Sequence, residues 1–211
     1  MHDLVIFDCD GVLVDSEVIS NRVLMENLAR YGLSLSLPEC MSLFVGGTMT
    51  GVRDKARALG ADLPDDWTDQ VYAETYEKLR AGVPLVAGVQ SLLTLLDQKG
   101  ISFCVASNGS PDKMRITLGQ NGLWDRFSDV MYSAHVLGTG KPEPDMFLAA
   151  AERFGSMSPV VIEDSVNGVT AAIRAGMRCL GFAAHDDGAS LAQLGAEVFH
   201  DMADAPRLLG I

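Results

Sequence analysis

Between residues 4 and 7 the chain runs Leu-Val-Ile-Phe without a polar break and then stops at Asp8. A short, wholly apolar run of this kind predicts a strand buried on both faces. From residue 16 the period changes. Val18, Ile19, Val23, Met25, Leu28 and Tyr31 recur near helical spacing, with Ser16 as the expected N-cap, Glu17 in the first turn and Gly32 as the stop. Pro38 at an expected N1 position opens a second short helix, Thr48 to Leu59 reads as a third ended by Gly60, and Asp66 to Arg80 as a fourth ended by Gly82. No convincing strand falls between residues 16 and 82.

From Val83 onward strands and helices alternate. Helices are predicted over 87–99, 111–120, 143–154 and 166–175, and strands over 101–106, 129–132, 160–162, 179–182 and 197–199. Strands separated by helices of this length imply an α/β fold, a parallel sheet covered on both faces. The strand at 4–7 belongs with these later units, so residues 16–82 interrupt them as an all-helical insertion. The expected organisation is a core of residues 1–15 and 83–211 with a small helical domain of residues 16–82, hinged at 14–16 and 82–85. Inserted directly after Asp8, that domain would sit over the carboxyl end of the sheet and could exclude water as a lid.

With 211 residues the chain can build one large core or a core with a small insertion, and a hydrophobic content of 48% and a mean hydropathy of +0.17 fit a well-buried globular protein. The net charge of −12 argues against nucleic acid or an anionic membrane as partner, because both reward clustered Lys and Arg. A small anionic substrate would need a locally positive pocket, from a metal ion, a specific Lys or helix N-termini. Cys9, Cys40, Cys104 and Cys179 are scattered without metal spacing, and most lie in or beside apolar runs, so reduced buried thiols are expected, as in a reducing cytoplasm. The start of the chain has no basic stretch and no run approaches a bilayer span, so a soluble, cytoplasmic monomer is expected.

Four places carry candidate chemistry, and each has a plainer reading. Asp8 ends the first strand; Asp10 shares its side of the chain while Cys9 faces away, and Gly11 permits a sharp exit. The pair could equally be turn residues capping a strand. Ser107-Asn108-Gly109 ends the second strand and could cradle a phosphate, or form an ordinary turn in which Ser110 caps the next helix. In Lys141-Pro142-Glu143-Pro144-Asp145, Lys141 could neutralise both a phosphoryl oxygen and Asp8, or be an exposed loop Lys. Glu163 and Asp164 end another strand side by side. Two such carboxylates call for a cation, and Mg²⁺ suits them, though Asp164 could instead be a helix N-cap.

Taken in order, Asp8-x-Asp10-Gly11, Ser107, Lys141-Pro-x-Pro-Asp and Glu163-Asp164-Ser-x-x-Gly with an Ala-rich helix resemble the four motifs of the haloacid dehalogenase superfamily of phosphatases and phosphomutases. The resemblance spans nearly the whole chain. The insertion after the first motif matches the subfamily with a helical cap, which includes β-phosphoglucomutase and phosphoglycolate phosphatase. The runs Asp8-Cys-Asp-Gly-x-Leu-Val-Asp-Ser-Glu-Val-Ile and Ser107-Asn-Gly-x-x-x-Lys-Met look like those of the bacterial 6-phosphogluconate phosphatase group.

The resemblance implies a Rossmann-like core and a Mg²⁺-dependent phosphatase acting on a small phosphorylated metabolite, a sugar phosphate or phosphosugar acid, through an aspartyl-phosphate. Asp8 would be nucleophile and Asp10 general acid/base. Asp8, the Asp10 carbonyl and Asp164 would hold the metal, with Glu163 acting through water. Ser107, Lys141 and main-chain N–H groups near Cys9, Asp10 and Asn108 would hold the transferring oxygens. In the cap, Gly46-Gly47-Thr48 resembles the substrate loop, and Lys78 and Arg53 are further candidates, each with a solvated alternative. Ser20 and Met49 stand where β-phosphoglucomutase carries a His and an Arg, which favours hydrolysis over mutase chemistry. A non-catalytic phosphoacceptor is the reading from another class.

Overall fold

The computed structural model describes residues 2–211. Six strands, β1 (Leu4–Phe7), β2 (Ser102–Ser107), β3 (Met131–Ser133), β4 (Pro159–Glu163), β5 (Arg178–Phe182) and β6 (Glu197–Phe199), form one parallel sheet in the order β3-β2-β1-β4-β5-β6. The fold is α/β and Rossmann-like, with helices on both faces. β1 lies at the centre, where Phe7 is level with Val105 of β2 and Ile162 of β4.

The pleat explains why the buried middles of the central strands are apolar. Val5 and Phe7 join one core with Val105, Val160, Ile162 and Leu180, while Leu4 and Ile6 join the other with Cys104, Val161 and Cys179. Each fully buried Leu or Phe contributes about 1.5–3 kcal/mol of transfer free energy, so neither face tolerates a polar residue until the strands end. The first core is closed by α5 (Val89–Lys99), α6 (Pro111–Gly119) and α12 (Ala205–Leu209), and the second by α9 (Asp145–Phe154) and α10 (Val166–Arg174). All four cysteines are buried free thiols, as expected.

Residues 17–80 hold α1 (Glu17–Arg30), α2 (Leu37–Phe44), α3 (Met49–Ala58) and α4 (Trp67–Arg80). They surround a third apolar core of their own, with Leu28, Phe44 and Trp67 among its members. The buried Trp67 indole donates to Asn27 Oδ1 at 2.6 Å, which satisfies its N–H inside that core. Ser36 and Glu39 form a reciprocal capping box ahead of Pro38, and Thr48 caps α3. The two expected hinges run side by side, since Asp15 N–H donates to Pro84 O at 2.9 Å and Val86 N–H to Leu13 O at 3.1 Å.

Ser16 departs from its expected role. It makes no side-chain cap for α1; its hydroxyl instead donates a charge-assisted hydrogen bond to the Asp10 carboxylate. Four short helices were not legible in the apolar period: α7 (Trp124–Phe127), α8 (Ala134–Leu137), α11 (Ala189–Gln193) and α12. Each spans four or five residues, little more than one turn, too short to display a repeat. No helix among the described residues is long and apolar enough to cross a membrane.

Candidate active site

The carboxyl ends of β2, β1 and β4 are neighbours, so the first polar residues after three buried runs arrive together. Asp8 follows β1, with its N–H donating to Ile162 O at 2.9 Å, and is 7% exposed. Ser107 is the last residue of β2 and Glu163 the last of β4, both buried.

Lys141 is buried between Asp8, with which it forms an ion pair, and Glu163, whose Oε1 lies 2.6 Å from its Nζ. Its backbone is clasped by Asn108: Lys141 N–H donates to Asn108 Oδ1 at 2.8 Å, and Asn108 Nδ2 donates to Lys141 O at 3.1 Å. The exposed-loop alternative for Lys141 is therefore excluded. Burial alone would lower the Lys141 pKa, but Asp8 and Glu163 overcome it and hold the ammonium well above the ordinary range.

Glu163, expected to reach the metal through water, is tied down by protein donors. One carboxylate oxygen takes Lys141, and the other accepts from the N–H groups of Asp164 and Ser165, both at 2.9 Å, and from Ser165 Oγ at 3.0 Å. Both oxygens are thus engaged by protein donors, and the side chain orients the ammonium. Nor is Asp164 the N-cap of α10; Ser165 is, accepting from Gly168 N–H. That leaves the Asp164 carboxylate free to face the site.

Asp10 carries a second cation. Lys113 Nζ lies 2.8 Å from Asp10 Oδ1, which also accepts from Ser16 Oγ. Gly11 (φ +80°) passes so close to Asp164 that a Cβ there would lie 1.9 Å from Asp164 Oδ2, which is why the turn needs glycine. Glu17, from the first turn of α1, lines the same chamber. The sequence reading assigns Lys113, Glu17 and Ser16 no part in the site. The signals available were the family-like runs that contain them, Ser16 and Glu17 after Asp8 and Lys113 after Ser107, at distances no local rule interprets.

Five carboxylates, Asp8, Asp10, Glu17, Glu163 and Asp164, therefore share one chamber with two ammonium groups. Burial, partly offset by Lys141 and reinforced by Glu163 and Asp10, raises Asp8 to about 7. Burial and the charge of Asp10 raise Glu17 to about 8. Burial, then Glu17, Glu163 and Asp8, push Asp164 well above the carboxylate range. No group of three or more His, Cys, Asp or Glu side chains among the described residues is arranged as a metal cage. The surplus of anions nevertheless suits Mg²⁺, which takes one or two carboxylates and completes its shell with water and phosphate oxygens.

The chamber holds about 140 Å³ and is roofed by α1, α3, α4 and the loop at 45–47. Ser20, Gly47 and Met49 line it. Three other cap candidates stand outside it: Thr48 caps α3, Arg53 pairs with Asp54 at 3.0 Å, and Lys78 opens on a separate cavity along α1 with Arg22 and Glu26. The roof is fastened at Gly46, whose carbonyl accepts from Asn108 Nδ2 at 3.2 Å and Asn167 Nδ2 at 3.0 Å. Tyr72 and Tyr76 of α4 add hydrogen bonds to His135 and Ser110.

Residues 2–176 match the haloacid dehalogenase-like hydrolase family. Over 210 residues the chain is 28% identical to the 6-phosphogluconate phosphatase of Escherichia coli, covering 98% of this chain and 94% of that protein. A haloacid dehalogenase-like protein of unknown function from Agrobacterium tumefaciens superposes with a TM-score of 0.86 at 34% identity, over 100% of this chain and 98% of the other. A family hydrolase from Deinococcus radiodurans, solved with phosphate and sodium bound, gives 0.79 at 32% identity over 99% and 95%. With its family motifs, its fold and its relatives in agreement over almost the full length, the chain belongs to the haloacid dehalogenase-like hydrolases.

Proposed function

We propose that the protein is a Mg²⁺-dependent phosphatase of small phosphomonoesters that works through an aspartyl-phosphate. The observation that carries this reading is that two carboxylates on one strand end each have a cation of their own, Asp8 with Lys141 and Asp10 with Lys113. One is thereby suited to attack and the other to proton transfer.

The Asp8 carboxylate attacks phosphorus while Asp10, protonated, delivers its proton to the departing alkoxide, so that alcohol leaves as the acyl phosphate forms. Asp10, now ionised and beside Lys113, accepts a proton from the water that attacks the aspartyl-phosphate, releasing inorganic phosphate and restoring Asp8. Ser107, Lys141 and main-chain N–H groups around Cys9, Asp10 and Asn108 hold the transferring oxygens. Asp8, the Asp10 carbonyl and Asp164 would hold Mg²⁺, which would supply charge that lets an anionic nucleophile approach an anionic phosphate. Residues 16–82 act as a cap over a core of residues 1–15 and 83–211, keeping bulk water from the ester while Asp8 attacks and admitting the water that then hydrolyses the acyl phosphate.

Hydrolysis is favoured over mutase chemistry because Ser20 and Met49, which line the chamber, cannot hold a second phosphate by charge. The test is phosphate release from p-nitrophenyl phosphate with Mg²⁺. Asp8→Asn is expected to lower turnover by about a thousandfold or more, and Asp10→Ala by about a hundredfold or more. An acid-stable quench should trap phosphate on the native chain and not on Asp8→Asn. Near-native turnover by Asp8→Asn would overturn the assignment.

A further inference from the structure

The chamber is cationic on its sheet side only. Its two cationic lining residues, Lys113 and Lys141, are held against Asp10 and against Asp8 and Glu163. The helical roof contributes no Lys, Arg or His to the lining. Arg53 is engaged by Asp54, while Arg22 and Lys78 face the other cavity. The one carboxyl that the roof turns inward is Glu17, which offers a further anion no positive charge. A carboxylate or second phosphate on the leaving group would lose its water against this wall and gain no counter-charge.

What the roof offers is apolar surface and hydroxyls, since its one side-chain amide in the lining, Asn21, already donates to the Glu17 carbonyl at 2.9 Å. Leu24, Phe44 and Met49 face the chamber, with Thr75 among them. Ser20 Oγ is buried there with no hydrogen-bond partner in the protein. A buried hydroxyl without a partner is costly, and a ligand hydroxyl would complete it. The roof is already fastened to the core through Gly46, so the wall described is the one a bound ester meets.

Building on the phosphatase reading, we propose that the substrate is the monophosphate of an uncharged sugar or polyol, and that phosphosugar acids and bisphosphates are discriminated against. The alcohol lays its C–H surface on Leu24, Phe44 and Met49 and directs a hydroxyl to Ser20. On this reading the acid named for the Escherichia coli relative is a poor substrate here.

The full chain with Mg²⁺ would be assayed on glucitol 6-phosphate against 6-phosphogluconate, which differ at the far carbon as CH₂OH against carboxylate, and on fructose 6-phosphate against fructose 1,6-bisphosphate. The expected result is at least a tenfold preference in kcat/KM for the uncharged member of each pair, about 1.4 kcal/mol. Equal or reversed preference, with p-nitrophenyl phosphate hydrolysed normally, would overturn the charge rule alone. Failure to hydrolyse any ester would overturn the phosphatase reading beneath it. Met49→Arg, with Ser20→Lys as the alternative should it misfold, is expected to narrow the ratio at least tenfold by supplying the missing cation. A folded variant whose ratio does not move would show that charge is not the discriminator.

Discussion

Asn108 grips the main chain of Lys141 at both ends of the residue, accepting from its N–H at 2.8 Å and donating to its carbonyl at 3.1 Å. A long, flexible ammonium is thereby launched from a fixed point, which is what a group between Asp8 and Glu163 requires. Asn108→Ala removes both bonds and one of the two fastenings of Gly46. It is expected to cost about 1–3 kcal/mol in transition-state stabilisation, roughly 5- to 150-fold in kcat/KM. Steady-state kinetics on p-nitrophenyl phosphate check this, and an unchanged kcat/KM would show that Lys141 needs no such anchor.

Lys113 neutralises Asp10, with burial opposing and Asp10 more than restoring its ammonium, so that its pKa lies above the ordinary value. Lys113→Met keeps the length of the stem and removes the charge. The expectation is a fall in kcat of about a hundredfold, the lower end of general acid–base contributions, with a smaller change in KM. A variant with altered KM and native kcat would instead make Lys113 a substrate-binding group.

Asp8, raised to about 7, and Glu17, raised to about 8, bind protons more tightly in the fold than in the unfolded chain. For acids with raised folded pKa values, stability is greatest while both states are protonated. It is lost as pH climbs from the unfolded value, about 4, through the folded one. Without divalent cation, the thermal midpoint should therefore decline between about pH 5 and 8. Mg²⁺ should reverse most of that loss, with a larger effect at pH 8 than at pH 5. At a hundred times its dissociation constant it would add about 2.7 kcal/mol, roughly 5–10 °C. Thermal scans with and without Mg²⁺ at both pH values decide this; equal shifts would detach the cation from these carboxylates.

Gly168 lies under the Glu163 carboxylate, where an added Cβ would fall 1.7 Å from Oε1. Glu163 cannot move away without releasing Lys141 and three other donors. Gly168→Ala, harmless in most helices, is expected to cost about 3 kcal/mol or more and to abolish turnover, because overpacking here also breaks a buried charge pair. Chemical denaturation gives the first figure. A variant of native stability would mean that the carboxylate has another place to go.

Gly46 joins cap and core through a single carbonyl that takes amides from Asn108 and Asn167. Asn167 has no other side-chain bond at the site, so Asn167→Ala tests the fastening alone. A rise in KM of about three- to tenfold, from one lost hydrogen bond, is expected with the fold's stability nearly unchanged. Hydrogen exchange over residues 44–48 should quicken; if exchange and KM both stay native, the bond does not hold the cap.

The runs at 4–7, 101–106, 160–162 and 179–182 were readable as strands because a strand buried on both faces is almost wholly apolar, and the first three ended where the candidate chemistry began. The helical period of residues 17–80, the glycine stops and the four spaced motifs were likewise local; they sufficed for the fold class, and they picked out Asp8, Asp10, Ser107, Lys141 and Asp164, which line one chamber. Which groups face which was not local. Ser16 left its helix for Asp10, Glu163 is also the partner of Lys141, and Lys113 and Glu17, unassigned members of the two family-like runs, line the site from helices. Thr48, Arg53 and Lys78 stayed out of the chamber because a helix projects its residues around a full turn, and only packing decides which side faces inward. Sequence alone determined where the strands end and which reactive residues stand there, since burial and period act over a few residues. The charge balance of the chamber was decided by tertiary structure, because Coulomb forces and desolvation depend on distances between residues as far apart in the chain as Asp8 and Lys141.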